Sequence, residues 1–90
     1  MAKLTAADIE PILRALDQLT EDTSIPKNVR FSITKAKNRL RESNEAVEVL
    51  TTSMHALEEV VNDINMPMHG RTMIWNLLSE MEQMKEEARA

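Results

Sequence analysis

Cysteine is absent from this 90-residue chain, which excludes disulfides and thiolate metal centres and makes an intracellular setting the natural expectation. Tyrosine is absent as well, glycine occurs once, at Gly70, and the only large aromatic side chains are Phe31 and Trp75. A strand-rich fold draws on turn glycines and on β-branched and aromatic residues, so this poverty points to helices. No apolar run approaches the roughly 20 residues that span a bilayer. Met1-Ala2-Lys3 is not followed by the apolar core of a secretory signal, and a cytoplasmic protein is expected. Positive charge is in deficit: 11 Lys and Arg face 15 Asp and Glu, leaving a formal charge of -4 that argues weakly against a dedicated nucleic-acid binder. At this length the expectation is one domain, residues 1–90, with a modest core.

What is present is helical periodicity. Ile9, Ile12, Leu13, Leu16 and Leu19 recur at spacings of three and four, which predicts a first helix from about Thr5 to Glu21. Thr5 with Asp8 resembles a capping box, although Glu or Gln is the standard partner. Pro11 conflicts with a regular helix, because it deletes a backbone hydrogen bond and crowds the preceding turn, so a kink or a start near Glu10 is expected. Ile25-Pro26 breaks the pattern, and Pro suits a first helical position, so a second helix runs from about Pro26 to Arg41 on the stripe Val29, Ile33, Ala36, Leu40. Ser43-Asn44 is placed to cap a third helix, Glu45 to Asn62, on Val47, Leu50, Met54, Leu57 and Val61. Pro67 opens a fourth, which ends within Lys85-Glu86-Glu87 and turns Ile74, Leu77, Leu78, Met81 and Met84 inward.

The two halves match at an offset of 41 residues. Ala15-Leu16-Asp17 aligns with Ala56-Leu57-Glu58, Asp22 with Asp63, Ile25-Pro26 with Met66-Pro67, Arg30 with Arg71, Ile33 with Ile74 and Leu40 with Met81. The matches fall on structural punctuation as well as on apolar stripes, which is the mark of a duplicated helical hairpin, residues 5–41 and 45–85. An Asp ending one helix with an Arg inside the next resembles HEAT repeats, whose period is about 40–47 residues. Two copies are too few for a solenoid, so the expectation is an all-α, antiparallel four-helix bundle made of two tandem HEAT-like hairpins.

A closer resemblance lies in two segments. Leu19 to Arg30, containing Asp22-Thr23-Ser24-Ile25-Pro26, and Asn62 to Asn76, containing Met66-Pro67-Met68-His69-Gly70-Arg71, resemble the two signatures of uncharacterised protein family 0147, a set of small archaeal proteins. The resemblance spans nearly the whole chain. It implies a four-helix bundle in an archaeal cytoplasm and no activity.

Asp22, Pro26, Asp63, Pro67 and Arg71, with Arg30, are read as turn structure: each Asp bonds backbone N–H groups and each Arg pairs with it or with loop carbonyls, a charged bond of about 1.5–3 kcal/mol when partly buried. His55 with Glu58 and Glu59 has helical spacing, but the residues three before His55 and His69 are Thr52 and Met66, so the Glu-x-x-His motif of di-iron bundles is missing. No nucleophile elbow or glycine-rich phosphate loop is present. The expectation is therefore not an enzyme, with no catalytic, metal or cofactor site. The seven methionines read as gap-filling core residues, with Met66 and Met68 in a partly exposed loop.

The second helix is the anomaly. Lys27, Arg30, Lys35, Lys37, Arg39 and Arg41 are six of the eleven basic residues, and Pro26 to Arg41 contains no acid. Lys27, Arg30, Lys37 and Arg41 share one side, with Phe31 near it and Trp75 at the edge of its own helix's apolar arc. Three readings stand: a solvated face pairing with acidic helices, a contact for RNA phosphate, and a protein interface. The leading expectation is a non-enzymatic protein–protein interaction module in a larger cytoplasmic assembly, with homodimerisation through Phe31 or Trp75 open. The alternative is an RNA- or ribonucleoprotein-associated protein using the basic face. The candidate interaction surface is Lys27, Arg30, Phe31, Lys37, Arg41 and Trp75.

Overall fold

The computed structural model describes residues 3–89, so Met1 and Ala2 of the amino-terminal segment considered above, and Ala90, lie outside the described residues. Four helices follow in order: α1 Ala6–Thr20, α2 Lys27–Arg39, α3 Ala46–Val61 and α4 Met68–Arg89. Short connections force neighbours antiparallel. α1 packs on α2, α2 on α3 and α3 on α4, and a smaller α1–α4 contact closes the ring, while the backbones of the diagonal pairs α1/α3 and α2/α4 stay apart. The result is an all-α, four-helix bundle measuring 38 × 18 × 17 Å.

Each helix exists because one stripe is apolar. Ile12, Leu13, Leu16 and Leu19 of α1, Val29, Ile33 and Ala36 of α2, Leu50, Met54 and Leu57 of α3, and Ile74, Leu77 and Met81 of α4 form one buried cluster. At about 0.8 kcal/mol per buried CH₂, this cluster is the main term holding the bundle together. Its one buried polar side chain among the described residues is Ser53, whose Oγ donates to the Ala36 carbonyl at 2.9 Å and so ties α3 to α2.

The first helix starts at Ala6, in agreement with the range from about Thr5, and the alternative start near Glu10 does not occur. Thr5 and Asp8 form a reciprocal capping box: the Thr5 N–H donates to Asp8 Oδ2 at 2.9 Å, and the Asp8 N–H donates to Thr5 Oγ1 at 3.3 Å. These bonds hold the Asp8 carboxyl below its ordinary value. Pro11 lies inside the helix, but both it and Ala7, whose carbonyl loses its amide partner, are on the exposed side, where water replaces the missing bond. Two boundaries and one burial differ from the sequence reading. α3 is capped by Glu45, while Ser43 Oγ accepts from the Glu45 N–H at 3.0 Å. α4 continues past Lys85-Glu86-Glu87 to Arg89, because Ala88 still reaches the core at 9% exposure. Met66 is buried, not exposed, because it plugs the turn that Pro67 ends.

The two turns that share an end of the bundle are built alike. Asp22 Oδ1 accepts from the Ser24 N–H at 2.9 Å, and Asp63 Oδ1 accepts from the Asn65 N–H at 2.8 Å. The Ile25 N–H reaches the Asp22 carbonyl and the Met66 N–H the Asp63 carbonyl, both at 3.1 Å. In each, an apolar residue then drops into the core and a proline precedes the next helix, an arrangement compatible with two copies of one hairpin. At the opposite end, Lys3 pairs with Glu45, and the Leu4 N–H donates to the Asn44 carbonyl at 2.9 Å.

Candidate functional site

The expected turn residues sit where their chemistry is structural. Arg30 Nε donates to the Ile25 carbonyl at 3.0 Å, and Arg71 Nη2 donates to the Asp63 carbonyl at 3.0 Å. Each guanidinium thus staples its own turn to the first part of the following helix. The two differ in register, and Arg71 Nε is buried without a hydrogen-bond partner.

One cluster joins the two turns. His69 Nε2 lies 2.7 Å from Asp22 Oδ2, Ser24 Oγ donates to Asp22 Oδ1 at 2.6 Å, and Ser24 Oγ is 3.4 Å from the same His69 Nε2. Ser, His and Asp meet here without the geometry of a nucleophilic triad. A triad uses the two different ring nitrogens to link Asp to Ser, whereas here one nitrogen faces both. The Ser24 hydroxyl, then His69, then the Ser24 N–H hold the Asp22 carboxyl at about 2, below its ordinary 3.8. Its effect is to lash the α1–α2 turn to the first turn of α4. Among the described residues no three His, Asp or Glu side chains converge as a metal site.

The structure divides the candidate interaction surface. Lys37 pairs with Asp17 of α1 and is only 22% exposed, so it bridges helices. Arg39 pairs with Glu42 at 3.1 Å. Lys27 and Phe31 remain on the outer side of α2, with Phe31 63% exposed, and Arg41 is exposed in the turn that follows the helix. The Lys35 ammonium sits 5.1 Å from the Phe31 ring centroid. Beside the ring is an open hollow of about 580 Å³ lined by Thr20, Lys27, Asn28, Arg30 and Thr34. A second groove of about 480 Å³ runs on the α3 side of α2, past Lys35, Arg39, His55 and Glu59.

Trp75 belongs elsewhere. It is 50% exposed on α4, the helix diagonal to α2, so it does not join Phe31 in one surface. Its companions are Met68, 64% exposed and two turns earlier on the same side of α4, and Ile64, 88% exposed in the turn before it. Ile64 escaped the sequence reading. Its signal was a mismatch between halves: at the 41-residue offset it stands opposite Thr23, an apolar residue where the first turn carries a polar one.

The sequence profile of the uncharacterised protein family (UPF0147) matches residues 1–84 of the chain. The UPF0147 protein MJ1419 of Methanocaldococcus jannaschii is 44% identical over 71 residues, covering 78% of this chain and 76% of the relative. A UPF0147 protein of Archaeoglobus fulgidus is 34% identical over 87 residues, 97% of this chain and all of the relative (100%). Among solved structures, the crystal structure of the unknown function protein MMP1188 superposes with a TM-score of 0.80 at 37% identity, covering 91% of this chain and 96% of that one. A UPF0147 protein from Thermoplasma acidophilum superposes with a TM-score of 0.75 at 34% identity, covering 84% and 91%.

Proposed function

The chain belongs to the uncharacterised protein family UPF0147, and from its surface we propose that it acts as a non-enzymatic protein–protein interaction module in a larger cytoplasmic assembly. One observation carries the reading: Met68 and Trp75 on one side of α4, and Ile64 in the turn before it, hold large apolar side chains in water on a capped, well-packed scaffold. Trp is the residue most enriched among binding hot spots, and Met adapts its shape to a partner. This surface is fixed by neighbouring structure, since Arg71 staples the turn that bears Ile64 and His69 ties the start of α4 to Asp22. A rigid anchor loses little freedom on binding, so more of the burial energy appears as affinity.

The test compares proteins recovered on the tagged wild-type chain from native-host lysate at high salt with those recovered on Trp75→Ala and Met68→Ala, alongside light scattering of each purified chain. The proposal expects a partner set that persists in salt and is lost from the Trp75→Ala chain at unchanged helicity. A concentration-dependent dimer abolished by Trp75→Ala would name a second copy as the partner. Identical recoveries on all three chains would overturn the reading.

A further inference from the structure

We infer that the outer face of α2, with the turn that follows it, is a docking strip for single-stranded RNA, with one base stacked on Phe31 and phosphates held by Lys27 and Lys35 of the helix and Arg41 of the turn. This goes beyond the α4 surface and stands independently of it.

Charge supplies the first argument. Outside α2 and the turn that follows it, the basic residues are Lys3, Arg14, Arg71, Lys85 and Arg89, and all but Arg71 are in ion pairs. On α2, Lys37 and Arg39 are paired, while Lys27, Arg30 and Lys35, with Arg41 in the turn after the helix, join no ion pair among the described residues. Unneutralised positive charge is therefore concentrated on one helix that carries no acid. The acids on the far side of the bundle do not cancel it for an approaching anion, because the Debye length at physiological salt is about 8 Å and the bundle is 17–18 Å across. The near acids Asp17 and Glu42 are taken up by Lys37 and Arg39, and Glu59 lines the other groove.

Geometry supplies the second. Lys27, Phe31 and Lys35 follow one another at intervals of four residues, about 6 Å of rise each, so cation, ring and cation form one line. Lys35 lies over the ring and lines the groove on the α3 side, not the hollow of about 580 Å³ that Phe31 lines, so its ammonium leaves the hollow open. A base entering the hollow meets a π-face and the aliphatic stems of Lys27 and Arg30, and its flanking phosphates meet ammonium groups one turn either side. Asn28, exposed on the rim, is placed to bond a ribose 2′-hydroxyl. A duplex offers no unstacked base to such a platform. An acidic protein is the poorer occupant, because protein interfaces deplete lysine and bury charge around their anchors, whereas here lysines flank an aromatic that stands proud of the surface.

Three to four phosphate contacts at a slope of about 0.7 each predict a roughly 20- to 50-fold loss of affinity between 50 and 200 mM salt. Removing the platform, Phe31→Ala, weakens binding roughly 5- to 150-fold, the fold-change equivalent of one lost base stack. The experiment is fluorescence anisotropy of the full chain with a labelled oligouridine RNA, an oligothymidine DNA of equal length and an RNA duplex. Circular dichroism verifies that each variant is folded. The inference expects binding of the RNA single strand with that salt dependence, weaker binding of the DNA and the duplex, large losses in Phe31→Ala and Lys27→Gln/Lys35→Gln, and none in Trp75→Ala. No RNA binding at 50 mM salt would overturn it. So would binding indifferent to Phe31 and the lysines, equal binding of the DNA, or preference for the duplex. Loss in Trp75→Ala equal to that in Phe31→Ala would also overturn it.

Discussion

Replacing Gly70 with alanine puts a methyl group where Met66 already lies. A Cβ built on Gly70 falls 2.3 Å from Met66 Cε and 3.3 Å from its Sδ, while Ile25 Cδ1, at 3.6 Å, is in ordinary contact. Two effects oppose each other. Alanine is favoured over glycine in a helix by up to about 1 kcal/mol, less in a first turn such as this one. Forcing a methyl into a packed core costs about 1–3 kcal/mol, and Met66, at 3% exposure, has no solvent into which to swing its terminus. Gly70→Ala is therefore expected to destabilise by about 1 kcal/mol, a fall of about 4–8 °C in Tm for a domain of this size.

The first hairpin shows how to reverse the sign. At the matching positions it has Ile25 and Val29, 0% and 2% exposed, where the second has Met66 and Gly70. A shorter plug in the turn leaves room for a larger residue in the helix. Met66→Ile alone should cost less than about 1.5 kcal/mol. In that background Gly70→Ala should stabilise, giving a coupling of about 1–2 kcal/mol in the double-mutant cycle. Urea unfolding followed by circular dichroism reads all four chains. The reasoning fails if Gly70→Ala stabilises the wild type, or if the two changes add to within about 0.5 kcal/mol.

Three other outcomes follow from single contacts. Ser53→Ala removes the buried hydroxyl bond to the Ala36 carbonyl and should lower unfolding free energy by about 1 kcal/mol, and a neutral result would mean that bond adds nothing net. A cycle of Asp17→Asn and Lys37→Met should show a coupling of about 0.5–1 kcal/mol that shrinks in salt, and zero coupling would return Lys37 to the free basic face. Asp22 titrates at about 2 in the fold against 3.8 for the ordinary group, so its stabilisation is complete above about pH 3.8 and is lost as pH falls through about 2. Asp22→Asn should flatten that part of the acid-unfolding curve, leaving the dependence due to Asp8, and an unchanged slope would contradict the assignment.

The helices were legible because burial imposes a period. Val29, Ile33, Ala36 and Leu40 had no other reading, and all four are buried. Met66 was misplaced because periodicity says nothing about a residue between helices, yet its alignment with Ile25, itself buried, carried the answer. The start of α1 was legible in the capping pair Thr5 and Asp8, and the late start near Glu10 that Pro11 suggests does not occur, because an exposed helix face tolerates the missing amide bond. Side-chain pairing across helices was the least legible. Nothing local marks Lys37 for Asp17, or His69 for Asp22, 47 residues away in sequence, because such partners are set by which turns the packing brings together.

The two second helices show what packing constrains and what it leaves free. At inward positions the halves agree in kind: Ile33 with Ile74, Leu40 with Met81, Ile25 with Met66. At outward positions they diverge: Lys27 faces Met68, Phe31 faces Thr72, Thr34 faces Trp75, and Arg39 faces Glu80. The same hairpin geometry thus carries a cationic face on α2 and an apolar one on α4. Because these helices are diagonal and their backbones stay apart, the two faces occupy separate corners of the bundle. Sites more than about 7–10 Å apart without shared partners act additively. A ligand on α2 and a partner on α4 would then bind together without competition, and Phe31→Ala combined with Trp75→Ala would lose the sum of the two single effects. A shortfall from that sum would mean that one molecule reaches both corners.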